Sequence, residues 1–433
     1  MNAQTITNSP GQDSPATQKI MGKPVIETST RILNLDSGFQ HKYLCDGPTF
    51  SAGTACAYRC SYCYVETIVG TKPFVTSLLG KNKFQDVVIR RKDAVTRLRN
   101  ELRTASGKLK FKGGADEAAK ASGKPKVCYG SPLVDIAASN ELATETAEMV
   151  QVLLDDTDWD VRLLSKSPLI KLIAQSLKSE QKRRVIFGLS MGTLDDELAQ
   201  AIEPTCPSPS RRCEAHRWLQ DQGYRTFAML CPILPQPLGQ FVRNALEAIR
   251  ANQCEHVWAE VLNVRGESMT QTLASLENNQ LHKAAEDLRA ICGQGKRQAW
   301  EDHARATFLA LAQATPKRDG GPKLRFLQYV NKHSEAWWRE HTSEGAVVLG
   351  RVGIQQPGLP QAHEVSLSGG SPRTIPKAPV VALTKATDSS IPGGTTGHQK
   401  KTPDPKRSEA AKRAWITIRK KKAFSAPPLI NPT

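Results

Sequence analysis

The chain has 433 residues, which is room for two or three domains of average size. Its 59 Lys and Arg against 42 Asp and Glu give a formal net charge of +17, which favours a polyanionic partner such as nucleic acid. No apolar run approaches the roughly 18 residues of a membrane span, and the polar N-terminus does not resemble a signal peptide. We therefore expect a cytoplasmic protein with no membrane partner, whose ten cysteines are thiols or metal ligands.

The first 30 residues are rich in Ser, Thr, Gln, Asn and Pro, which predicts a disordered N-terminus. From 31 to 270, β-like runs alternate with helical patterns. The β-like runs are 49–54, 127–131, 161–165, 184–191, 226–233 and 256–263. Several are dense in Val, Ile and Leu on both faces, as buried parallel strands are. These alternations predict an α/β fold with a parallel sheet, open or partly closed into a barrel.

Three stretches depart from this pattern. Residues 104–126 are rich in Lys, Gly and Ala and predict a mobile insertion. Residues 271–355, including the stretch LRFLQYVNKHSEAWWREH at 324–341, predict a helical extension. In 356–433 Pro, Gly, Ser and Thr dominate, and we expect a disordered basic tail.

The tail contains a strongly basic segment. Residues 406–422 hold eight Lys and Arg, with Trp415 and two isoleucines among them. Basic side chains neutralise phosphates and an aromatic ring stacks on bases, so the tail predicts contact with DNA or RNA. A solubilising end without a partner is the alternative.

The most informative motif is the sequence SAGTACAYRCSYCYVE at 51–66, in which Cys56, Cys60 and Cys63 are spaced C-x3-C-x2-C. Three thiolates on one short loop can converge on one inorganic centre. A tetrahedral zinc ion would require a fourth ligand, whereas a [4Fe–4S] cluster held by three cysteines leaves one iron open to a further ligand. A structural zinc site and three separate structural cysteines remain as alternatives.

With Tyr62 before its last cysteine, this loop resembles the signature loop of the radical S-adenosylmethionine (radical SAM) enzymes. The resemblance implies a [4Fe–4S] cluster on the three cysteines and S-adenosylmethionine bound at the open iron. It also implies reductive cleavage to a 5′-deoxyadenosyl radical, with electrons from a flavodoxin- or ferredoxin-like protein. The implied fold is a partial (β/α)6 barrel, here with the helical extension and the basic tail appended.

Later motifs resemble the branch of that family that contains spore photoproduct lyase, often described as DNA-repair-photolyase-like. They are Ser165-Lys166-Ser167, Thr193-Leu194-Asp195 and Glu203-Pro204, each following a predicted strand or helix. The resemblance covers about residues 40–270 and implies a lyase-type enzyme in DNA repair, acting on nucleic acid or a nucleotide. The alternatives are a radical enzyme that modifies a protein or small molecule, and a non-catalytic nucleic-acid-binding metalloprotein.

The resemblance also implies residues that bind the cofactor. They are Tyr62, Gly130, Ser131, Asn140, Glu141, Lys166 and Ser190. Other interpretations are a strand-ending turn at Gly130 and Ser131, a helix cap at Asn140, and a solvated rim position for Lys166.

Cys128 is the candidate catalytic residue, because true spore photoproduct lyases use a cysteine beside the second strand as a hydrogen-atom donor. Alignment on the following Ser places that cysteine at Tyr129, and a shift of one residue turns a strand side chain to the opposite face. Cys128 is therefore either the donor or a buried core residue. The other cysteines are expected to be structural; they are Cys45, Cys206, Cys213, Cys231, Cys254 and Cys292.

Overall fold

The structure is a computed structural model that describes residues 18–114, 123–130, 132–264, 267–293 and 295–350. The centre of the predicted insertion and the predicted tail lie outside these residues. None of the described helices is long and apolar enough to cross a bilayer.

The strands in chain order are β1 (Lys19–Ile20), β2 (Lys23–Thr28), β3 (Leu33–Asn34), β4 (Thr49–Phe50), β5 (Gly53–Ala55), β6 (Val88–Arg91), β7 (Val127–Gly130), β8 (Asp160–Ser165), β9 (Val185–Ser190), β10 (Arg225–Ile233), β11 (Val257–Val261), β12 (Leu324–Tyr329) and β13 (Ala346–Leu349). The main sheet has the order β13-β12-β11-β10-β9-β8-β7-β4-β3. Its pairings from β4 to β13 are parallel, and β3 pairs antiparallel with β4.

The α-helices are α1 (Pro73–Leu79), α2 (Ala94–Glu101), α3 (Asn140–Asp156), α4 (Ile170–Gln175), α5 (Asp196–Ile202), α6 (Pro209–Asp221), α7 (Leu238–Ala248), α8 (Ser268–Asn278), α9 (His282–Cys292), α10 (Arg297–Ala314) and α11 (Glu335–Glu340). Local chemistry sets several of their ends. The Asp195 carboxylate accepts from Leu198 N–H at 3.0 Å at the start of α5, and Ser208 caps α6, whose first residue is Pro209. Gly223, at φ +73°, follows the end of α6.

The parallel strands curl around a common interior. Side chains alternate along each strand, and one set packs under the helices, including Cys128, Val161 and Phe187. The opposite set forms a second cluster that joins Tyr129 of β7 to Val347 of β13. These strands stand far apart in the sheet order, so the sheet forms a partial barrel with its own core.

Residues 38–45 fill this interior. The Trp258 indole donates to Lys42 O at 2.8 Å, the Arg162 guanidinium to Leu44 O at 2.7 Å, and the Arg325 guanidinium to Tyr43 O at 2.9 Å. Arg162 and Arg325 also lie against the Trp258 ring, at 5.1 and 4.9 Å from its centroid. Residues 38–45 thus supply carbonyl oxygens to the guanidinium groups of Arg162 and Arg325, which also pack on the face of Trp258.

The predicted α/β partial barrel is confirmed, and the structure extends it. All six predicted β-runs contain strands, and β12 and β13 add two more parallel strands. The helix expected across 324–341 is wrong for its first part, since Leu324–Tyr329 is β12. Phe326 and Leu327 are both buried, so this segment has apolar side chains on both faces, as an internal strand requires.

A smaller sheet, in the order β1-β2-β6-β5, lies at the N-terminal part of the chain. The prediction of disorder through residue 30 is therefore wrong from Lys19 onward. Val25 and Ile26 stand opposite Val88 and Ile89 of β6. These short apolar segments become strands because they pair with each other. The sequence does not reveal this pairing, because the two segments are far apart in the chain.

Part of the predicted insertion is packed against the body. Phe111 contacts the Trp159 ring at 4.7 Å between centroids, and Lys110 N–H donates to Leu102 O at 3.1 Å.

Candidate metal centre

The three cysteines lie on a loop that follows β4 and β5 at the carboxyl end of the parallel strands. Cys56, Cys60 and Cys63 are each half-buried, and all three line one pocket. Tyr58, Val65, Glu66, Phe84 and Gln85 complete its wall. The structure thus places all three cysteines of the motif around the same pocket.

The loop is fixed by contacts with distant segments. The buried Lys23 ammonium donates to Cys56 O at 3.3 Å and Tyr58 O at 3.2 Å. On the other side, Ser61 N–H donates to Ile202 O at 2.9 Å. These bonds satisfy loop carbonyls and amides that a tight turn leaves without a regular partner.

Asp135 connects Cys56 to the end of β8. Its N–H donates to Cys56 Sγ at 3.2 Å, and its carboxylate accepts from Ser165 Oγ and from Lys166 N–H, both at 2.7 Å. The Tyr58 N–H also donates to Cys56 Sγ, at 3.4 Å. Amide donors to a thiolate sulfur are among the features that tune iron–sulfur centres.

The cysteines differ in their electrostatic surroundings. Burial raises the pKa of Cys56 to about 12 and also raises that of Cys63. The pKa of Cys60 is lowered, first because Cys206 donates to its sulfur at 3.8 Å, and then because Lys166 and Arg212 carry positive charge nearby. A bound metal would deprotonate all three, since coordination stabilises the thiolate form.

A buried ionic network stands beside the loop. Glu203 is 3% exposed and accepts from Tyr62 OH and from the Arg212 guanidinium. Burial raises the pKa of Glu203 to about 8, against the attraction of Arg212. The Lys166 ammonium lies 3.9 Å from Glu203 and 5.5 Å from the centre of the Tyr62 ring. Two residues predicted to bind the cofactor, Tyr62 and Lys166, are therefore neighbours in this network.

Two other predicted cofactor residues have structural partners. A Cβ on Gly130 would lie 2.5 Å from Leu163 Cδ2 and 3.0 Å from the Phe50 ring, so close packing explains this glycine. Ser190 is buried; its hydroxyl donates to Cys231 O at 3.3 Å and its carbonyl accepts from Arg212 at 3.0 Å.

Two predicted cofactor residues at the start of α3 are not among the residues that line the cysteine pocket. Asn140 and Glu141 are exposed and line a different groove, shared with Asp93 and Thr96 of the α2 region. Ser139, rather than Asn140, caps the helix by accepting from Leu142 N–H at 3.3 Å. Ser131 lies outside the described residues.

Cys128 and Tyr129 face opposite sides of β7. Cys128 is 0% exposed and packs in the helix-facing core, whereas Tyr129 belongs to the barrel interior. This placement favours the core interpretation of Cys128 over the hydrogen-donor role.

Sequence reasoning missed Lys23, Asp135, Cys206 and Arg212 as parts of this site. Only Cys206 had a signal, since it lies two residues after the Glu203-Pro204 motif, but it lacks metal-type spacing to another cysteine. Among the described residues, no group of three or more His, Cys, Asp or Glu has the geometry to hold a single metal ion. The sulfur donors, the amide donors to Cys56 and the shared pocket nevertheless suit a thiolate-bound cluster.

No family model matches the chain. Among curated proteins, an uncharacterized protein, ORF301, of Acidianus two-tailed virus is 24% identical over 255 residues, which are 57% of this chain and 77% of that protein.

Several solved structures are similar in fold. A spore photoproduct lyase complexed with dinucleoside spore photoproduct is 11% identical, with a TM-score of 0.42 over 63% of this chain and 80% of that one. SuiB of Streptococcus suis, bound to precursor peptide SuiA, is 13% identical, with a TM-score of 0.32 over 55% and 45%. TsrM of Kitasatospora setae, a radical S-adenosylmethionine methyltransferase, is 12% identical, with a TM-score of 0.29 over 49% and 35%.

Proposed function

We propose that this chain is a radical SAM iron–sulfur enzyme in which Cys56, Cys60 and Cys63 hold a [4Fe–4S] cluster. One observation carries the proposal. The three cysteines share a pocket on the loop that follows the first parallel strand of a partial barrel. The carboxyl end of such strands is where barrel enzymes assemble their sites.

When bound, such a cluster supplies an electron that cleaves S-adenosylmethionine and yields a 5′-deoxyadenosyl radical, which abstracts a hydrogen atom from the substrate. The protein's own residues hold and shape this site. Lys23 and Ser61 fix the loop, and Asp135 keeps an amide donor on the Cys56 sulfur. A flavodoxin- or ferredoxin-like protein is the proposed electron source.

Lys166 is the residue we assign to an anionic group of the bound cofactor. Its side chain is 18% exposed, and the distance from its ammonium to Glu203, 3.9 Å, is longer than a close charge-assisted hydrogen bond. The Tyr62 hydroxyl and the Arg212 guanidinium already bind the Glu203 oxygens. Lys166 therefore retains donors for a carboxylate, while Tyr62 and Arg212 hold its counter-charge in place.

Nucleic acid or a nucleotide is the proposed substrate, in a lyase-type DNA-repair reaction. The motifs after the predicted strands and the basic segment 406–422 support this proposal. A radical enzyme acting on a protein or a small molecule, and a zinc-containing nucleic-acid binder, are the alternatives that the experiments below separate.

The test of the cluster is anaerobic reconstitution followed by iron, sulfide and zinc analysis and an assay for 5′-deoxyadenosine. We expect iron and sulfide in the wild type, and a loss of 5′-deoxyadenosine on the order of 100-fold in Cys56→Ala, Cys60→Ala and Cys63→Ala. Cys213→Ala, which changes a core cysteine of α6, is the control. It should keep its iron and sulfide and its formation of 5′-deoxyadenosine. Zinc alone, or product formation that survives all three changes, contradicts the proposal.

The substrate class is tested separately, by incubating the reconstituted enzyme with ultraviolet-irradiated DNA, undamaged DNA and RNA. Stimulated 5′-deoxyadenosine formation or deuterium transfer from a labelled polymer supports nucleic acid. Turnover that is unaffected by any of these polymers favours a protein or small-molecule substrate.

A further inference from the structure

Cys60 and Cys206 face each other although they lie 146 residues apart in the chain. Their sulfurs are 3.8 Å apart, and all ten cysteines are free thiols in the structure. A disulfide has its sulfurs about 2.05 Å apart, so an approach of about 2 Å would join them. Side-chain rotation of this size needs little backbone movement when the two backbones are already held together.

The backbones on both sides are held together. Arg59 and Ser61, the two neighbours of Cys60, donate their N–H groups to Thr205 Oγ1 at 3.0 Å and to Ile202 O at 2.9 Å. Cys206 N–H in turn donates to Glu203 O at 2.9 Å. The cysteine loop around Cys60 and the segment around Cys206 are therefore held against each other.

We propose that Cys60 and Cys206 form a reversible disulfide in the metal-free protein. The oxidant is a low-molecular-weight disulfide of the glutathione type, RSSR. Cys60, half-buried on the pocket wall, attacks RSSR and releases one thiol, RSH. Cys206 then loses its proton, attacks the Cys60 sulfur of the mixed disulfide, and releases the second RSH. Two cysteine thiols are oxidised and one RSSR is reduced.

This bond would protect a cluster ligand. An unpaired cysteine oxidises irreversibly beyond sulfenic acid, whereas a disulfide is restored by thiols. The formation of the bond is independent of the proposed function. Its consequence, that the oxidised protein cannot load a cluster until it is reduced, rests on that function, because it requires Cys60 to be an iron ligand.

The test uses the full-length metal-free protein, treated with oxidised glutathione, alkylated and digested with trypsin. Cleavage after Arg59 places Cys60 and Cys63 on the peptide 60–81, and Cys206 is the only cysteine of the peptide 185–211. We expect these peptides to be linked, to separate on reduction, and to remain linked in Cys63→Ser. The link should be absent in Cys206→Ser and retained in Cys213→Ser. Absence of the link in wild type, or its loss in Cys63→Ser with Cys60 still alkylated, overturns the proposal.

Iron uptake provides the second readout. The oxidised wild type should incorporate at least about tenfold less iron than the reduced wild type, whereas oxidised and reduced Cys206→Ser should incorporate equal amounts. If the linked peptides form but oxidation does not change iron uptake, the disulfide stands and the role of Cys60 as a ligand fails. The two proposals therefore fail in different measurements.

Discussion

Single residues that sequence spacing cannot reveal hold the cysteine loop in place. The spacing of Cys56, Cys60 and Cys63 predicts a shared site, because those residues are close in sequence. Asp135 bonds to Cys56 from 79 residues away, and Lys23 does so from 33 residues away. Such partners have no periodicity or motif, since only the folded chain brings them together.

Removal of the Asp135 carboxylate tests this role. Asp135→Ala loses the acceptors for Ser165 Oγ, Lys166 N–H and Ala137 N–H, which lie 2.7, 2.7 and 2.9 Å away. We expect a loss of roughly 2–3 kcal/mol in the free energy of unfolding and faster loss of iron from the reconstituted protein. Denaturant unfolding and iron release to a chelator measure the two effects.

Asp135→Asn is the matched variant. It keeps the acceptor for Ser165 and Ala137, which share Oδ1, but places an amide N–H₂ group against Lys166 N–H. Its free energy of unfolding and its iron retention should fall between those of wild type and Asp135→Ala. Equal iron retention in all three proteins would show that Asp135 does not position the loop.

His216 on α6 gives the fold a specific acid sensitivity. It is 0% exposed, its Nε2 lies 3.1 Å from Phe227 O of β10, and burial lowers its pKa to about 4. Between the unfolded value of about 6.5 and the folded value, the unfolded chain binds the extra proton, so stability falls as the pH falls.

The comparison with His216→Gln isolates this titration. Glutamine donates to a carbonyl but does not titrate, so the stability gap between wild type and variant should shrink by about 2–3 kcal/mol from pH 7 to pH 4.5. Denaturant unfolding at both values measures the gap. If the difference in free energy of unfolding does not change with pH, the titration of His216 does not cause the acid sensitivity.

At the scale of elements, sequence patterns predicted those strands that are apolar on both faces. The runs that form β9 and β10 are nearly continuous apolar segments, which helices of this length rarely show. The pattern at 324–341 predicts a helix, whereas its first six residues form β12. Packing favours the strand, because the Phe326 ring stacks on Trp338 with 5.6 Å between ring centroids and Phe326 pairs with Ala346 of β13.

Contact between β10 and the end of β9 depends on a glycine. A Cβ on Gly192 would lie 1.9 Å from Pro232 O, which is a backbone atom that cannot rotate away. Gly192→Ala must therefore separate the two segments beside Ser190 and Glu203. We expect a loss of more than about 3 kcal/mol in the free energy of unfolding, or insoluble protein.

Gly239→Ala is the control for that change. A Cβ on this glycine of α7 would have nothing within 4 Å, so alanine should stabilise the helix by roughly 0.5–1 kcal/mol. Thermal unfolding of both variants gives the comparison. A Gly192→Ala protein as stable as wild type would contradict the close approach.

At the scale of the whole molecule, the positive charge is unevenly distributed. Residues 356–433 hold 13 Lys and Arg and 4 Asp and Glu, so +9 of the net +17 lies in these 78 residues. The other 355 residues carry +8, and the described part ends at Gly350, just after β13. If nucleic acid is the partner, the two parts of the chain contribute to binding through different chemistry.

Truncation after residue 355 separates these contributions. It removes none of the described core, so the midpoint of thermal unfolding should change by less than about 2 °C. Affinity for single-stranded DNA at low salt should fall by at least about tenfold, because each phosphate neutralised by a tail cation adds about 0.7 to the salt slope. A full-length variant with the eight Lys and Arg of 406–422 changed to Gln keeps the length of the tail and should behave like the truncation. Binding that keeps its affinity and its salt slope in both proteins would place the nucleic-acid contact on the barrel rather than on the tail.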